Sequence, residues 1–420
     1  MQAEASSAYE GDNEMGRPSR TERWLFVGIT LVSVGYSHLA GSQVSDTGSL
    51  PAEIIWALAY ALAIVGIIAR RDVAVPLIRR SLPLLLIVAI AILSTLWSYD
   101  PLLTLRRAFG LFGTTAIAFY IASRYTLAEF LDLLVLTISA VALISIVLIV
   151  FIPGLGVMQE RYQGAWQGLF WEKNRFGETM ALGVITMLAM LRGTQGRRRS
   201  RLWISIAVCT VLVLGSRSAT PIVGLLAVLC CLSVMFRLRR KRLGFASFAV
   251  GSALAVSAFC ANVIGFEPAD ALSVLGRDAT LTGRTEIWDY AIRYINERPL
   301  LGYGYNVFWE ETGPVKRYLM KDLGWEPASA HNGYLEVALN FGVTGFLLFA
   351  AFLLEAVRRA LRFFSNSNDS LSAWPVLVIA SMAIMNLADA NFVLYNEVLW
   401  LAVMVAFLYA TAGDEHRGTT

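Results

Sequence analysis

The stretch that decides the fold reads ATLTGRTEIWDYAIRYINERPLLGYGYNVFW over residues 279–309 and, after a polar spacer, ASAHNGYLEVAL over residues 328–339. It is the one long segment too polar to enter a bilayer, and hydrophobic runs lie on both sides of it. It carries arginines, closely spaced glycines, many aromatic side chains and His331, one of three histidines in the chain. We therefore interpret it as a folded loop on one face of a membrane.

The composition around this loop is that of a membrane protein. The chain has 420 residues, of which 56% are hydrophobic and only 16% are charged, and its mean hydropathy is +0.59. Soluble domains carry about 25% charged residues. Apolar runs of about 17 to 25 residues, the length that crosses a bilayer as a helix, recur along most of the chain. The predicted fold class is an all-α polytopic membrane protein.

The apolar runs predict about twelve transmembrane helices. They cover residues 24–41, 52–69, 82–97, 106–123, 129–152, 176–192, 202–214, 219–236, 244–265, 332–357, 373–390 and 394–412. The predicted order is a disordered cytoplasmic tail at 1–23, transmembrane helices 1–9 within 24–265, a large external loop at 266–331, transmembrane helices 10–12 within 332–412 and a cytoplasmic tail at 413–420. The first apolar run is expected to be an uncleaved anchor.

The positions of the basic residues predict the orientation. With the amino terminus in the cytoplasm, most of the 35 Lys and Arg residues fall on cytoplasmic connections, as the positive-inside rule requires. The strongest markers are RGTQGRRRSR at 192–201 and RLRRKR at 237–242. Both termini are then cytoplasmic and the large loop is external. Because the basic residues form short clusters between apolar runs, membrane lipid is a predicted partner and nucleic acid is not.

Several cations lie beside predicted span ends on the external side, where the orientation rule disfavours them. They are Lys173, Arg175, Arg217 and Arg284. We interpret them as an anion site at the membrane surface. Arg284 falls in the first turn of a predicted helix, where backbone N–H groups also favour a phosphate or diphosphate. Two alternatives stay open: Arg284 pairs with Glu286 or Asp289, and Arg217 extends to the interface without a ligand.

His331 is the candidate general base. It precedes the next span at the external boundary, where the helix dipole keeps an imidazole neutral, as a base requires. The alternative is a plain hydrogen-bonding histidine.

The segment ERPLLGYG at 297–304 is typical of a helix end followed by a tight turn, because Pro299 cannot continue a helix. This role is structural. No His/Asp/Glu or Cys set has the sequence spacing of metal ligands, so neither a metal nor another cofactor is predicted.

Several of these segments together resemble one known family. The motifs are KN at 173–174, SRSA at 216–219, LTGRTEIW at 281–288, ERPLLGYG at 297–304 and AHNGYLEVALNFGVTG at 330–345. Their combination, from Trp171 to Gly345, is similar to the O-antigen ligase / exopolysaccharide polymerase family of bacterial membrane proteins. LGRDAT at 275–280 is closest to the exopolysaccharide polymerase branch.

The resemblance implies a GT-C-like glycosyltransferase of the bacterial cytoplasmic membrane that uses a polyprenyl-diphosphate-linked oligosaccharide, without metal or nucleotide sugar. Carried over residue by residue, it implies that Arg217 and Arg284 hold the diphosphate and that His331 activates the acceptor hydroxyl. Further substrate-binding candidates are Lys173, Asn174, Arg175, Trp288, Arg298, Tyr303, Asn332 and Tyr334. The chemistry agrees, since attack on an anomeric carbon needs a base and a departing diphosphate needs positive charge.

The predicted function is polymerisation of lipid-linked repeat units into exopolysaccharide, with a flippase, a chain-length regulator and export proteins as candidate partners. The close alternative is an O-antigen ligase that transfers glycan to lipid A core or another acceptor, because the same residues would serve both. A flippase or transporter is the alternative of a different class. It would need a polar path between both faces, whereas the unusual polar residues here concentrate on one face.

Overall fold

The computed structural model describes residues 50–159, 162–238, 284–310 and 327–413, together with Trp24 and Gly28. Its longer helices are α1 (Leu50–Ala69), α2 (Arg71–Arg80), α3 (Leu82–Leu93), α4 (Pro101–Arg124), α5 (Leu127–Phe151), α6 (Lys173–Met190), α7 (Gly196–Gly215), α8 (Ala219–Leu238), α9 (Arg284–Glu297), α10 (Gly333–Asn366), α11 (Ala373–Met385) and α12 (Val398–Gly413). The predicted span 244–265, and 24–41 apart from two residues, lie outside the described residues.

The described helices fit a multi-pass membrane protein. Four of them, namely α4, α5, α10 and α6 with the short turn that follows it, are each long and apolar enough to cross a membrane. α1 and α2 meet at a bend of 103° and together form one further candidate. α3, α8, α11 and α12 are shorter apolar helices. Within the described residues, the structure therefore supports the predicted class of an all-α membrane protein.

Local signals set the starts of several helices. Asp100 caps α4 by accepting a hydrogen bond from the N–H of Leu103 over 3.1 Å, and Pro101 is the first helical residue. Thr126 and Glu129 form a reciprocal capping box at the start of α5. These starts are encoded by sequence neighbours and need no tertiary contact.

The centre of the molecule is formed by α6, α11 and α12, which are buried on nearly all sides. α6 packs on α5, α7, α8 and α11, and α12 packs on α4, α10 and α11. Trp374 of α11 and Trp400 of α12 are fully buried, and Trp374 donates its indole N–H to Thr186 of α6 over 3.0 Å. The outer helices α1 and α5 instead expose large apolar side chains such as Leu58 and Leu143, which is the pattern of a lipid-facing surface.

The last two predicted spans, 373–390 and 394–412, each differ from the observed helix at one end. α11 ends at Met385 and α12 begins at Val398, and residues 386–397 form a largely buried, non-helical segment, here called the 386–397 connection. The Asn386 side chain accepts hydrogen bonds from the backbone N–H groups of Asn391 (2.7 Å) and Phe392 (3.0 Å). These N–H groups are thereby removed from a helical ladder, so the apolar pattern is overridden by a side-chain cap.

α10 also differs from its predicted end, because it runs past residue 357 to Asn366. Glu355 pairs with Arg358 and Arg359 on the next turn. Such pairs stabilise a helix where it is no longer apolar, so α10 is longer than the hydrophobic run that predicts it.

The polar segment builds a small core of its own beside the start of α10. α9 begins at Arg284 and ends before Pro299, so the predicted helix and its stop are confirmed. The buried side chains of this core are Ile287, Ala291, Tyr303, Phe308, Trp309, Ala330 and Leu339. The apolar face of α9 therefore packs on its own turn and on α10, and the segment has a defined shape independent of lipid.

Side-chain contacts tie this segment to the membrane helices. Arg107 of α4 is only 4% exposed and forms an ion pair with Glu310 over 2.6 Å. The Tyr305 N–H donates to the Ser94 hydroxyl over 3.0 Å, and the Trp97 indole donates to the backbone beyond α9. Arg107 therefore has a structural role, because a buried guanidinium requires a partner.

Glycines allow the turn after α9 to approach α10 closely. Gly302 and Gly342 both have a backbone φ of +64°. The Tyr303 N–H donates to the carbonyl oxygen of Leu339 over 2.9 Å. A Cβ added to Gly302 would lie 2.4 Å from that same oxygen, and one on Gly342 would lie 2.4 Å from the carbonyl carbon of Leu300. The two backbones touch where no side chain fits.

We expect Gly302→Ala to destabilise the protein by about 1–3 kcal/mol, because alanine is strained at this positive φ and its Cβ meets backbone that cannot rotate away. The measurement is the midpoint of thermal unfolding in detergent. Gly154→Ala is the matched control, since no atom lies within 4 Å of the position that its Cβ would take. Equal midpoints for the two variants would contradict the close approach of the turn to α10.

Candidate functional site

Separate parts of the chain meet next to the start of α10. They are the start of α6 with the residue before it (172–175), the turn between α7 and α8 (216–218), the start of α9, the segment 329–332 and the 386–397 connection. Most of the residues predicted to bind substrate belong to these parts.

His331 lies at the turn that begins α10. Its backbone φ is +47°, a left-handed conformation that costs a non-glycine residue about 1–3 kcal/mol and is found mainly at functional sites. Asn332 follows it and caps the helix, because its side-chain oxygen accepts hydrogen bonds from the N–H groups of Tyr334 (3.0 Å) and Leu335 (3.2 Å). The His331 side chain is 23% exposed, and its Nδ1 lies 3.7 Å from Oδ1 of Asp389.

Asp389 is held beside His331 by the backbone. The N–H of Gly333 donates to the carbonyl oxygens of both Asn386 and Asp389, each over 2.8 Å. Burial alone would raise the pKa of Asp389, but the adjacent His331 and the charge of Arg175 outweigh burial and lower the pKa below its ordinary value. An ionised carboxylate in this place can orient the imidazole and stabilise its protonated form.

Glu172 brings a second carboxylate to the same place. The nearest side-chain oxygen or nitrogen atoms of Glu172, His331 and Asp389 all lie within 4.8 Å of one another. Desolvation and the charge of Asp389 raise the pKa of Glu172. The charges of His331, Arg175 and Arg284 act in the opposite direction. Glu172 is therefore within electrostatic reach of both the candidate base and two of the predicted cations.

A set of two carboxylates and an imidazole can also hold a divalent cation. Among the residues that the structure describes, the buried Nδ1 of His331 and Oδ2 of Asp389 make no hydrogen bond, which leaves both able to act as ligands. The sequence argument against a metal-ligand set does not hold here, since it compared residues close in the chain and these three come from separate segments. Arg175 and Arg284 already supply positive charge near Glu172, which reduces the need for a cation.

Lys173 and Asn174 are engaged inside the protein. The Lys173 ammonium donates to the carbonyl oxygen of Arg217 over 3.3 Å. The Asn174 amide donates to Glu172 over 2.8 Å, and its oxygen accepts from the Ser218 hydroxyl over 2.8 Å. These contacts fix the α7–α8 turn to the start of α6, so both residues position their neighbours.

Arg175 contacts the 386–397 connection at two points. Its Nη1 forms an ion pair with Glu397 over 3.1 Å, and its Nη2 donates to the carbonyl oxygen of Ala390 over 3.1 Å. One turn later on α6, the fully buried Glu178 accepts a hydrogen bond from the Asn391 side chain over 2.8 Å. The start of α6 therefore anchors the segment that carries Asp389.

Arg217 and Arg284 are the two cations predicted to hold the diphosphate. Arg217 occupies the α7–α8 turn with a φ of +49° and is exposed. Arg284 is the first residue of α9 and is partly exposed. Within the described residues it makes no ion pair with Glu286 or Asp289, which was the alternative left open by the sequence. Binding of a diphosphate by these arginines stays a prediction.

The aromatic candidates nearest His331 use their polar atoms within the protein. The Trp288 indole N–H donates to the carbonyl oxygen of Ala330 over 2.9 Å, and this fixes α9 against the residue that precedes His331. The Tyr334 hydroxyl donates to the carbonyl oxygen of Ala383 over 2.8 Å. Their substrate-binding roles stay predictions, and both residues hold the site together.

Arg298, which is exposed, contacts the ring of Tyr303, which belongs to the core of the polar segment. The Arg298 guanidinium lies 4.9 Å from the ring centre of Tyr303. The Tyr303 hydroxyl donates to the carbonyl oxygen of Tyr294 over 3.0 Å, and burial raises its pKa to about 12. Among the described residues, neither of them contacts His331. They therefore shape the polar segment without taking a direct part in the site around His331.

Sequence reasoning missed Glu172, Asp389 and Glu397 as members of this site. For Asp389 a signal was present, because the run NLADANF places an acidic residue inside the predicted span 373–390. An ionisable residue within a span indicates function by default. Glu397 had the same signal, since it lies inside the predicted span 394–412, whereas Glu172 precedes the predicted span 176–192 and had none.

Comparisons with known proteins bear on the same region. Residues 202–350 match a family model described as O-antigen ligase. The chain is also 28% identical over 205 residues to the exopolysaccharide production protein ExoQ of Rhizobium meliloti (strain 1021). The resemblance to the O-antigen ligase / exopolysaccharide polymerase family is confirmed.

Both matches cover only part of the chain. The match to ExoQ covers 45% of this chain and 45% of that protein, so the chain spans less than half the length of the curated relative. The family match includes Arg217, Arg284 and His331, whereas Glu172 and Asp389 lie outside residues 202–350. The similarity to these proteins and the apolar helices together indicate a bacterial multi-pass membrane protein.

Proposed function

We propose that the chain is a metal-independent membrane glycosyltransferase that polymerises polyprenyl-diphosphate-linked oligosaccharide repeat units into exopolysaccharide. The observation that carries the proposal is the position of His331 beside two carboxylates, with Arg284 acting on one of them. A base next to a cation is what transfer from a diphosphate leaving group requires. The printed name of the curated relative, an exopolysaccharide production protein, favours the polymerase over the ligase.

The proposed architecture is GT-C-like, with about twelve spans. Both termini lie in the cytoplasm, and the loop at 266–331 lies on the external face of the bacterial cytoplasmic membrane. The basic cluster at 192–201 supports this orientation, because it surrounds the start of α7, at the end of the helix opposite to Arg217. The other proposed domain boundaries are those predicted from the sequence.

In the proposed reaction, the acceptor hydroxyl gives its proton to His331 as its oxygen attacks the anomeric carbon of the donor glycan. The bond from that carbon to the diphosphate oxygen breaks, and its electron pair leaves with the lipid diphosphate. Asp389 stabilises the imidazolium that forms on His331. Arg284 and Arg217 balance the charge that develops on the leaving group. The product is a longer glycan on the acceptor lipid and a free polyprenyl diphosphate.

Deletion of the protein tests the proposal against its alternatives. We expect loss of long-chain exopolysaccharide and accumulation of single lipid-linked repeat units, because chain growth stops after the first unit. The measurement is mass spectrometry of lipid-linked glycans from the deletion strain. Full-length chains retained on the carrier lipid would instead indicate an O-antigen ligase. Translocation by purified protein in liposomes without a new glycosidic bond would indicate a flippase.

Variants separate the base from the diphosphate ligand. We expect His331→Ala to lower the rate by about 10²–10⁴-fold with donor binding nearly intact, since a general base acts on the acceptor. Arg284→Ala should weaken both donor binding and turnover. Arg284→Lys should recover only part of the lost binding and turnover, because an ammonium lacks the planar, forked set of donors of a guanidinium. The assay is polymerisation and binding of labelled lipid-linked repeats in detergent.

The control for these variants is Arg293→Ala, since Arg293 is an exposed arginine on the same helix as Arg284. It should behave like the wild type. A correctly inserted His331→Ala protein that polymerises at the normal rate would exclude His331 as the base and leave the neighbouring carboxylates as candidates.

Metal independence is tested by a chelator. We expect polymerisation to continue after incubation with excess EDTA and desalting, because Arg284 and Arg217 supply the positive charge that the leaving diphosphate needs. Loss of activity that returns on addition of Mg²⁺ or Mn²⁺ would contradict this expectation. Retention of that metal by the wild type but not by Asp389→Asn would then assign the cation to the set of Glu172, His331 and Asp389.

A further inference from the structure

We propose that Arg175 is a positioning residue, which holds the 386–397 connection so that Asp389 stays beside His331, and that it is not a ligand of the donor diphosphate. This inference rests on the proposed function. It reassigns a cation that the sequence pattern placed in the substrate-binding set.

Arg175 contacts the 386–397 connection at two separate points. Ala390, whose carbonyl oxygen accepts from Nη2 over 3.1 Å, is the residue directly after Asp389. Glu397, whose carboxylate lies 3.1 Å from Nη1, is the last residue before α12. One planar guanidinium therefore joins the start of α6 to the neighbour of Asp389 and to the end of the connection. A two-point contact of this kind is specific to arginine.

A second contact from α6 holds the same segment. Glu178 lies one turn after Arg175, so both side chains are on one side of the helix. Glu178 is fully buried, and one of its carboxylate oxygens accepts from the Asn391 side chain over 2.8 Å. Ala390 and Asn391 are consecutive, so α6 contacts the connection at the two residues that directly follow Asp389.

The environment of Arg175 also argues against a role for this residue in binding the diphosphate. Its side chain is 25% exposed, and each end of the guanidinium contacts an oxygen of the protein. A diphosphate would have to replace the Glu397 carboxylate and leave that group without its ion pair, which is unfavourable in a partly buried site. Arg217, in the α7–α8 turn, is exposed and is therefore better placed than Arg175 to meet a diphosphate.

Loss of the positioning contact should lower turnover and leave donor affinity unchanged. A displacement of about 1 Å at a catalytic group lowers a rate on the order of 10²-fold. Asp389 acts on His331 and not on the lipid diphosphate, so its displacement affects proton transfer. A residue that binds the diphosphate would instead change donor KM.

The test compares Arg175→Gln, Glu397→Gln and the double variant in the full-length protein. The donor probe is lipid-linked oligosaccharide extracted from a strain that lacks this protein. We expect kcat to fall on the order of 10²-fold in each single variant, with donor KM within about 2-fold of the wild type. The double variant should be no worse than either single one, because both remove the same contact. Arg175→Lys should recover part of kcat, since an ammonium keeps one of the two contacts.

Hydrogen–deuterium exchange provides a readout that does not depend on activity. We expect faster exchange over residues 386–397 in Arg175→Gln and Glu397→Gln, with α5 and α12 unchanged as evidence of folding. Arg293→Gln is the matched control, because it removes an exposed arginine from the external segment.

Two results would overturn the inference. One is exchange over residues 386–397 equal to that of the wild type in Arg175→Gln. The other is a raised donor KM in Arg175→Gln that Glu397→Gln does not reproduce, which would return Arg175 to the diphosphate site. If the wild type forms no glycosidic bond at all, the proposed function fails, and the exchange measurement still decides whether Arg175 fixes the connection.

Discussion

The candidate site depends on one backbone contact, the N–H of Gly333 shared between the carbonyl oxygens of Asn386 and Asp389. It joins the first residue of α10 to the 386–397 connection. A Cβ on Gly333 would lie 2.2 Å from the Asn386 side-chain oxygen, so only glycine permits it. His331 lies two residues before Gly333. This backbone contact therefore brings Asp389 to His331, and the contacts of Arg175 with Ala390 and Glu397 hold the rest of the connection.

Charge balance is the second requirement of this arrangement. Glu172 and Asp389 lie close together, and two carboxylates in a partly buried place disfavour each other's ionisation. Desolvation and Asp389 raise the pKa of Glu172 and the charge of Arg175 opposes that rise, whereas the pKa of Asp389 is lowered with a contribution from Arg175, which also pairs directly with Glu397. An arginine that both anchors the connection and neutralises charge explains how acidic residues can lie together beside the proposed base, His331. The charged residues that hold the site together thus also affect the pKa values of its carboxylates.

The described part of the polar segment contributes a packed support to the site. Its small core places α9 against α10, and the Trp288 indole fixes the residue that precedes His331. The buried pair of Arg107 and Glu310 ties the segment to α4. Arg284 is therefore carried by a packed helix, and its charge acts on Glu172, which lies beside His331.

The sequence by itself determined the membrane class, the helix with Arg284 in its first turn and the end of that helix before Pro299. Each of these depends on residues within a few positions of one another, where periodicity, proline and capping rules apply. Only the tertiary structure decided that Asp389 and Glu172 meet His331, and that α11 stops at Met385. Those contacts join residues far apart in the chain, and no local pattern records which distant backbone a glycine will touch or which carboxylate an arginine will meet.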